Sequence, residues 1–162
     1  MKLYLVASVM TIAATAFAED LTPAQEEAKA LFDEKTSEAV EQLNESCGTK
    51  ATVSCDFTYF KPDVWARGTQ PYDQCELVLQ TIDRMCKDRP AYKKALGKSL
   101  ATVRCVFTGV KPKQKKDGSA DHVLRNMSFA HGVFTLRMTP ELTNVEEGTQ
   151  KTVERSLNKK AR

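Results

Sequence analysis

The segment ATVSCDFTYFKP at Ala51–Pro62 returns as ATVRCVFTGVKP at Ala101–Pro112, with eight of twelve positions identical. Self-similarity of this kind at a fixed offset marks one supersecondary unit built twice. In the first copy Val53, Cys55, Phe57 and Tyr59 alternate with Thr52, Ser54, Asp56 and Thr58, the period of a strand with one buried side. The second copy turns Val103, Cys105 and Phe107 inward by the same count and sends Arg104 the other way. If the two strands are neighbours, both sulfurs lie on one side of the sheet.

Helical patterns flank these strands. Thr22, Pro23 and Gln25 form a helix start, with Thr22 placed to cap free amides and Gln25 to reach back to it. Ala28, Phe32, Ala39, Val40, Leu43 and Cys47 then recur at helical spacing as far as Gly48, with glutamates on the other side. A second helix begins at Pro71 and carries the stripe Cys75, Val78, Leu79, Ile82, Met85 and Cys86. Pro90 interrupts it, and Tyr92, Leu96 and Gly97 indicate a short last piece.

Further on, Val123–Ala130 and Val133–Met138 read as a hairpin turning at His131 and Gly132. A two-residue turn there pairs Phe129 with Phe134 and Met127 with Leu136 on one face. A slip of one residue would separate the two sets, so pattern and turn agree. After Pro140 the pattern weakens. Leu142, Val145, Val153 and Leu157 are helically spaced, but Gly148 and the polar ending predict a weakly structured or helical tail over 141–162. The order α-β-α-β-β-β predicts an α+β domain over 19–140, with two helices packed on one face of a small, mainly antiparallel sheet and an internal helix-strand duplication.

Residues 1–18 have a basic start at Lys2, an apolar run and small residues at Ala16 and Ala18, the pattern of a cleaved secretory signal. The run is too short to span a bilayer, no later segment is apolar enough, and no cysteine follows the cleavage point to carry a lipid. A secreted or periplasmic chain of the bacterial envelope is expected. The N-x-S sequons at Asn44 and Asn126 would matter only in a eukaryotic secretory pathway.

Export changes how Cys47, Cys55, Cys75, Cys86 and Cys105 are read, because exported thiols oxidise. They predict up to two disulfides and one thiol left over. Cys75 and Cys86 share a helix face but sit roughly 16 Å apart along its axis, too far to bond to each other. Each must look to the sheet or to the end of the first helix, and bridges between helical layer and sheet are favoured. The full connectivity stays open, and the odd thiol could link two chains into a dimer. There is no C-x-x-C, and His122 and His131 lie far from any cysteine pair, so neither metal, cofactor nor thiol redox chemistry is expected.

The formal charge of +3 is unevenly spread. Nine acidic residues stand against Lys29 and Lys35 between Glu19 and Ser46, whereas Asp83 to Lys116 holds eleven basic residues against Asp83 and Asp88. Two solvated helix faces that complement each other explain this, and so does a basic surface for an anionic partner. Export argues against nucleic acid. Two loops are candidate contacts: Trp65 beside Arg67, and Lys111, Lys113, Lys115 and Lys116. Against them stand a Trp65 that covers the core edge and a lysine turn that is merely solvated.

With only His122 and His131 available, nucleophile, base and orienting group do not assemble. Asp56, Asp63 and Asp73 could approach one another in space, though nothing in their spacing requires it. The expectation is therefore an exported, non-enzymatic binding protein whose partner is open: a macromolecule such as a secreted protein, or an anionic component of the envelope or the outside medium. Its contacts would be Trp65, Arg67 and the four lysines. The alternative is an inhibitor or immunity-like protein whose Trp65 loop plugs a secreted hydrolase; a carboxylate-dependent hydrolase has the least support.

Overall fold

Each strand residue of the first repeat copy lies opposite its own duplicate. The computed structural model describes residues 21–66, 68–109 and 121–160, and the expected signal segment lies outside them. In chain order the elements are α1 (Pro23–Cys47), β1 (Thr52–Cys55), α2 (Pro62–Trp65), α3 (Pro71–Asp88), α4 (Pro90–Ser99), β2 (Thr102–Val106), α5 (Asp121–Arg125), β3 (Met127–Ala130), β4 (Val133–Arg137) and α6 (Val145–Lys160). β1 and β2 run parallel with Thr52 facing Thr102, Val53 facing Val103, Ser54 facing Arg104 and Cys55 facing Cys105. The sheet order is β1-β2-β4-β3.

The mixed α+β class is as expected, but the sheet is not mainly antiparallel. β1 with β2 and β2 with β4 are parallel, and only β3 with β4 is antiparallel. The cause is the connection: α3 and α4 carry the chain back before β2 begins, so two adjacent strands joined in this way must point the same way. The return of the hairpin then inserts β4 beside β2 and leaves β3 at the edge. Its register is the expected one, Phe129 opposite Phe134 and Met127 opposite Leu136. His131 and Gly132 both take positive φ, 50° and 81°, the left-handed pair that a two-residue turn needs to match strand twist.

Two local expectations change and a third narrows. β1 stops at Cys55 because the Asp56 side chain accepts from the Thr58 amide at 3.0 Å and from its hydroxyl at 2.6 Å, which turns Phe57–Tyr59 into one 3-10 turn. The expected strand start at Val123 belongs instead to the short helix α5. And of the two readings of the stretch after Pro140, weakly structured or helical, the helical one holds over Val145–Lys160: Val145, Thr149 and Val153 of α6 are buried, with Ser156 donating to the Phe129 carbonyl at 2.8 Å. Gly148 is there for close approach, since a Cβ would come within 2.7 Å of Val123 Cγ2 and 3.0 Å of Met127 Sδ.

The start of α1 is the expected capping box, with the Thr22 amide donating to Gln25 Oε1 at 2.9 Å. Its inner stripe of Phe32, Thr36, Ala39, Leu43 and Cys47 is buried. Asn44 then grips the passage into β1, accepting from the Ala51 amide at 2.8 Å and donating to its carbonyl at 3.0 Å. Two intramolecular disulfides fix the layers. Cys47–Cys86 joins the late turns of α1 and α3, and Cys75–Cys105 joins α3 to the central strand β2, with Cα separations of 5.2 and 6.6 Å. Cys75 and Cys86 thus turn to the two destinations their spacing allowed. Cys55 is the thiol left over. Among the described residues no helix is long and apolar enough to cross a membrane.

Candidate binding face

The strands bury alternate residues. Val103, Cys105, Phe134, Leu136, Met127 and Phe129 are buried under the helices, while Thr52, Ser54, Arg104, Arg137 and Ser128 are exposed on the other side. No described element covers that second side. Across it the register sets Ser54 beside Arg104, Arg104 beside Thr135 and Val106 beside Arg137. Arg104 and Arg137 therefore stand on adjacent parallel strands, one diagonal step apart. Neither guanidinium forms an ion pair among the described residues.

A cleft of 240 Å³ opens where these strands end, lined by Asp56, Tyr59, Arg104, Thr108, Thr135 and Arg137 among others. Its far wall is the turn after β1. Phe57 and Phe60 point into the core there, which forces Tyr59 outward to 66% exposure. Gln25 Nε2 holds the turn by donating to the Thr58 and Phe60 carbonyls at 3.1 and 3.3 Å. Beneath it Phe107 stacks edgewise on Phe57 and Trp65, with ring centroids 5.2 and 5.8 Å apart. An aromatic base thus carries a polar, cationic mouth.

The residues singled out in the sequence fall elsewhere. Trp65 is 4% exposed and packed on Phe107, so its indole supports the floor of the cleft and is not presented at the surface. Arg67, Lys111, Lys113, Lys115 and Lys116 lie outside the described residues. Asp73 is engaged at the start of α3, where it accepts from the Gln70 amide at 3.3 Å. His131 is an exposed turn residue. It borders a second groove of 490 Å³ between β3 and α6, whose wall is apolar at Met127 and Phe129. The alternation in β2 turns Arg104 away from the core, as its sequence implies, and Arg137 and Tyr59 join it from segments that no local pattern connects. The signal for Arg137 was available: the hairpin register that buries Leu136 also exposes its neighbour.

Cys55 is half-buried beside the Cys105 half-cystine. Burial first, then the Asp56 and Asp33 carboxylates, push its thiol well above the ordinary range, against a small opposing effect of Lys29. The reactive species is the thiolate, so this group is held in its inert form. Alkylation by iodoacetamide at pH 8.5 is expected to be at least tenfold slower in the native chain than in urea, read by mass spectrometry. Because the folded pKa is raised, its contribution to stability is full below the unfolded thiol pKa of about 8.5 and is lost as pH rises beyond it. A Cys55→Ser chain should accordingly lose less stability between pH 8 and 10. Equal slopes for the two chains would contradict this. No group of three or more His, Cys, Asp or Glu among the described residues is arranged to hold a metal ion.

Comparison with known proteins finds no matching family model, no similar curated protein and no similar solved structure.

Proposed function

We propose that this chain is an exported, non-enzymatic binding protein that receives an anionic partner on the uncovered face of its sheet. One observation carries the reading: Arg104 and Arg137 stand exposed, close together and without an acidic partner among the described residues, at the mouth of a cleft. A guanidinium offers a planar fork of donors that matches carboxylate, sulfate or phosphate oxygens two at a time. Arginines held on adjacent strands are positioned by backbone rather than by flexible loops, so binding has to order only the two side chains. The serine and threonine hydroxyls around them add donors and acceptors without opposing charge. Two internal disulfides suit a chain that works outside the cytosol.

An inhibitory plug built on Trp65 would need that indole at the surface, and it is packed inside. A hydrolytic reading would need two facing carboxylates in one cleft, whereas Asp56 is the one acidic residue among those lining the arginine cleft and Asp73 is engaged at the start of α3. Binding therefore has the stronger support.

The test is retention of the mature chain by immobilised polyanions as salt rises. Each guanidinium that forms a charge-assisted pair contributes about 1.5–3 kcal/mol, so the double change Arg104→Gln and Arg137→Gln should weaken binding at least tenfold without altering the far-UV spectrum. Salt raised from low ionic strength to about 0.5 M should abolish most of what remains. Binding that ignores both the substitutions and the salt would refute the electrostatic reading.

A further inference from the structure

We infer that the anionic partner is a carboxylated polysaccharide, a chain of uronic acid units laid across the cleft; this rests on the proposal that the Arg104 and Arg137 face binds anions. The argument turns on what accompanies the two cations. Tyr59 stands 66% exposed on the wall of the same cleft, held there by its buried neighbours Phe57 and Phe60. An exposed aromatic ring with a phenolic edge suits a ligand that is apolar on one side and hydroxylated at its rim, as a pyranose ring is.

Asp56 supplies the second discriminating feature. Its Oδ1 is taken up by the Thr58 amide and hydroxyl, and Oδ2 has no partner among the described residues. A carboxylate among arginines works against a bare polyanion, because like charges repel. For a ligand that brings hydroxyl donors along with its acids, the same oxygen becomes an acceptor. Arg104, Arg137, Thr135 and Asp56 together therefore ask for acid and hydroxyl groups on one molecule. Simple polyphosphate offers only the first, and polyglutamate carries no hydroxyl at its rim.

Other partners fit the face less well. A protein interface is built around fully buried aromatic or aliphatic anchors, and Val106 and Val133, the aliphatic residues along β2 and β4 on this side, are already half-buried. A membrane surface asks for an apolar stripe to enter the headgroup layer. The exposed aliphatic residues Leu31, Val64 and Leu77 sit singly on α1, α2 and α3, and none of them lines the cleft of the two arginines. An extended, hydroxyl-rich polymer lying over a shallow face and one aromatic platform needs neither.

The experiment compares polygalacturonate with polyglutamate of similar charge and with neutral dextran, using the mature chain in titration calorimetry. Polygalacturonate is expected to bind at least tenfold more tightly per carboxylate than polyglutamate, with dextran not binding. Tyr59→Ala should remove that advantage, lowering polygalacturonate affinity about tenfold and leaving polyglutamate unchanged. Tyr59→Phe should retain it. Equal affinity for the two polyanions, or an effect of Tyr59→Ala on both alike, would overturn the polysaccharide assignment and leave the anion-binding face standing. Binding of neither polyanion would overturn both.

Discussion

Replacing Cys75 and Cys105 together by alanine is expected to lower the unfolding free energy by about 3–4 kcal/mol. The bridge closes a chain segment with a sequence separation of 30, and for a loop of that size the loss of unfolded-state entropy alone is worth about 3.6 kcal/mol. Both sulfurs are fully buried between α3 and the central strand, so the cut also loosens the contact that holds the helical layer to the sheet. In a domain of this size the melting temperature should fall by roughly 10–15 °C. The substitution has to be double. Cys75→Ala alone would leave the Cys105 thiol facing Cys55 in register on the next strand, where backbones are about 4.8 Å apart and a new pairing is within reach.

The Cys47–Cys86 bridge, with a sequence separation of 39, supplies the comparison. Chain entropy by itself makes it slightly the stronger of the two, by about 0.2 kcal/mol. It joins neighbouring helices that already pack along their length, however, whereas Cys75–Cys105 crosses between layers. Urea unfolding of the two double-alanine chains should therefore show the larger loss for Cys75 and Cys105. The opposite order would mean that loop length outweighs placement, and a loss below about 1 kcal/mol for either would mean that its native packing holds without the bond.

What could be read from the chain follows the range over which each residue acts. The α1 start, the α3 stripe and the hairpin register rest on neighbours within a few positions, and Thr22 with Gln25, Val78 with Ile82, and Phe129 with Phe134 express them directly. The impossibility of a Cys75–Cys86 bond followed from helix rise alone. Strand direction was different. The helical crossing between β1 and β2 was visible in the sequence, and adjacency of the duplicated strands would have fixed them as parallel, but adjacency itself is a tertiary fact. Gly148 misled because its value lies in the space it leaves for Val123 and Met127, residues more than twenty positions away. The binding face was hidden for a similar reason: Tyr59, Arg104 and Arg137 come from three separate segments. Only the sheet order β1-β2-β4-β3 brings them to one cleft.

Phe57→Ala is expected to have the largest effect of any single substitution near that cleft, about 3–5 kcal/mol. Phe57 is the hub of an aromatic cluster, edge-on to Phe32, Phe60 and Phe107 at centroid distances of 5.5, 5.9 and 5.2 Å. Its removal opens a void among rings that α1, the 3-10 turn and the end of β2 all contribute, and three separately anchored segments have little freedom to close it. Stability on the order of 5–15 kcal/mol is typical of a single domain, so the change consumes a large part of it; urea unfolding should show a lower midpoint at nearly unchanged slope. The functional consequence is separable. Tyr59 and Asp56 keep their places because Phe57, between them in sequence, is anchored in the core. Below its melting temperature the Phe57→Ala chain should thus lose affinity for polyanions even though Arg104 and Arg137 are intact. Phe57→Leu, which refills most of the void, should recover much of both losses. A variant that unfolds more easily yet binds as tightly as the parent when folded would separate the aromatic base from the cleft it is argued to support.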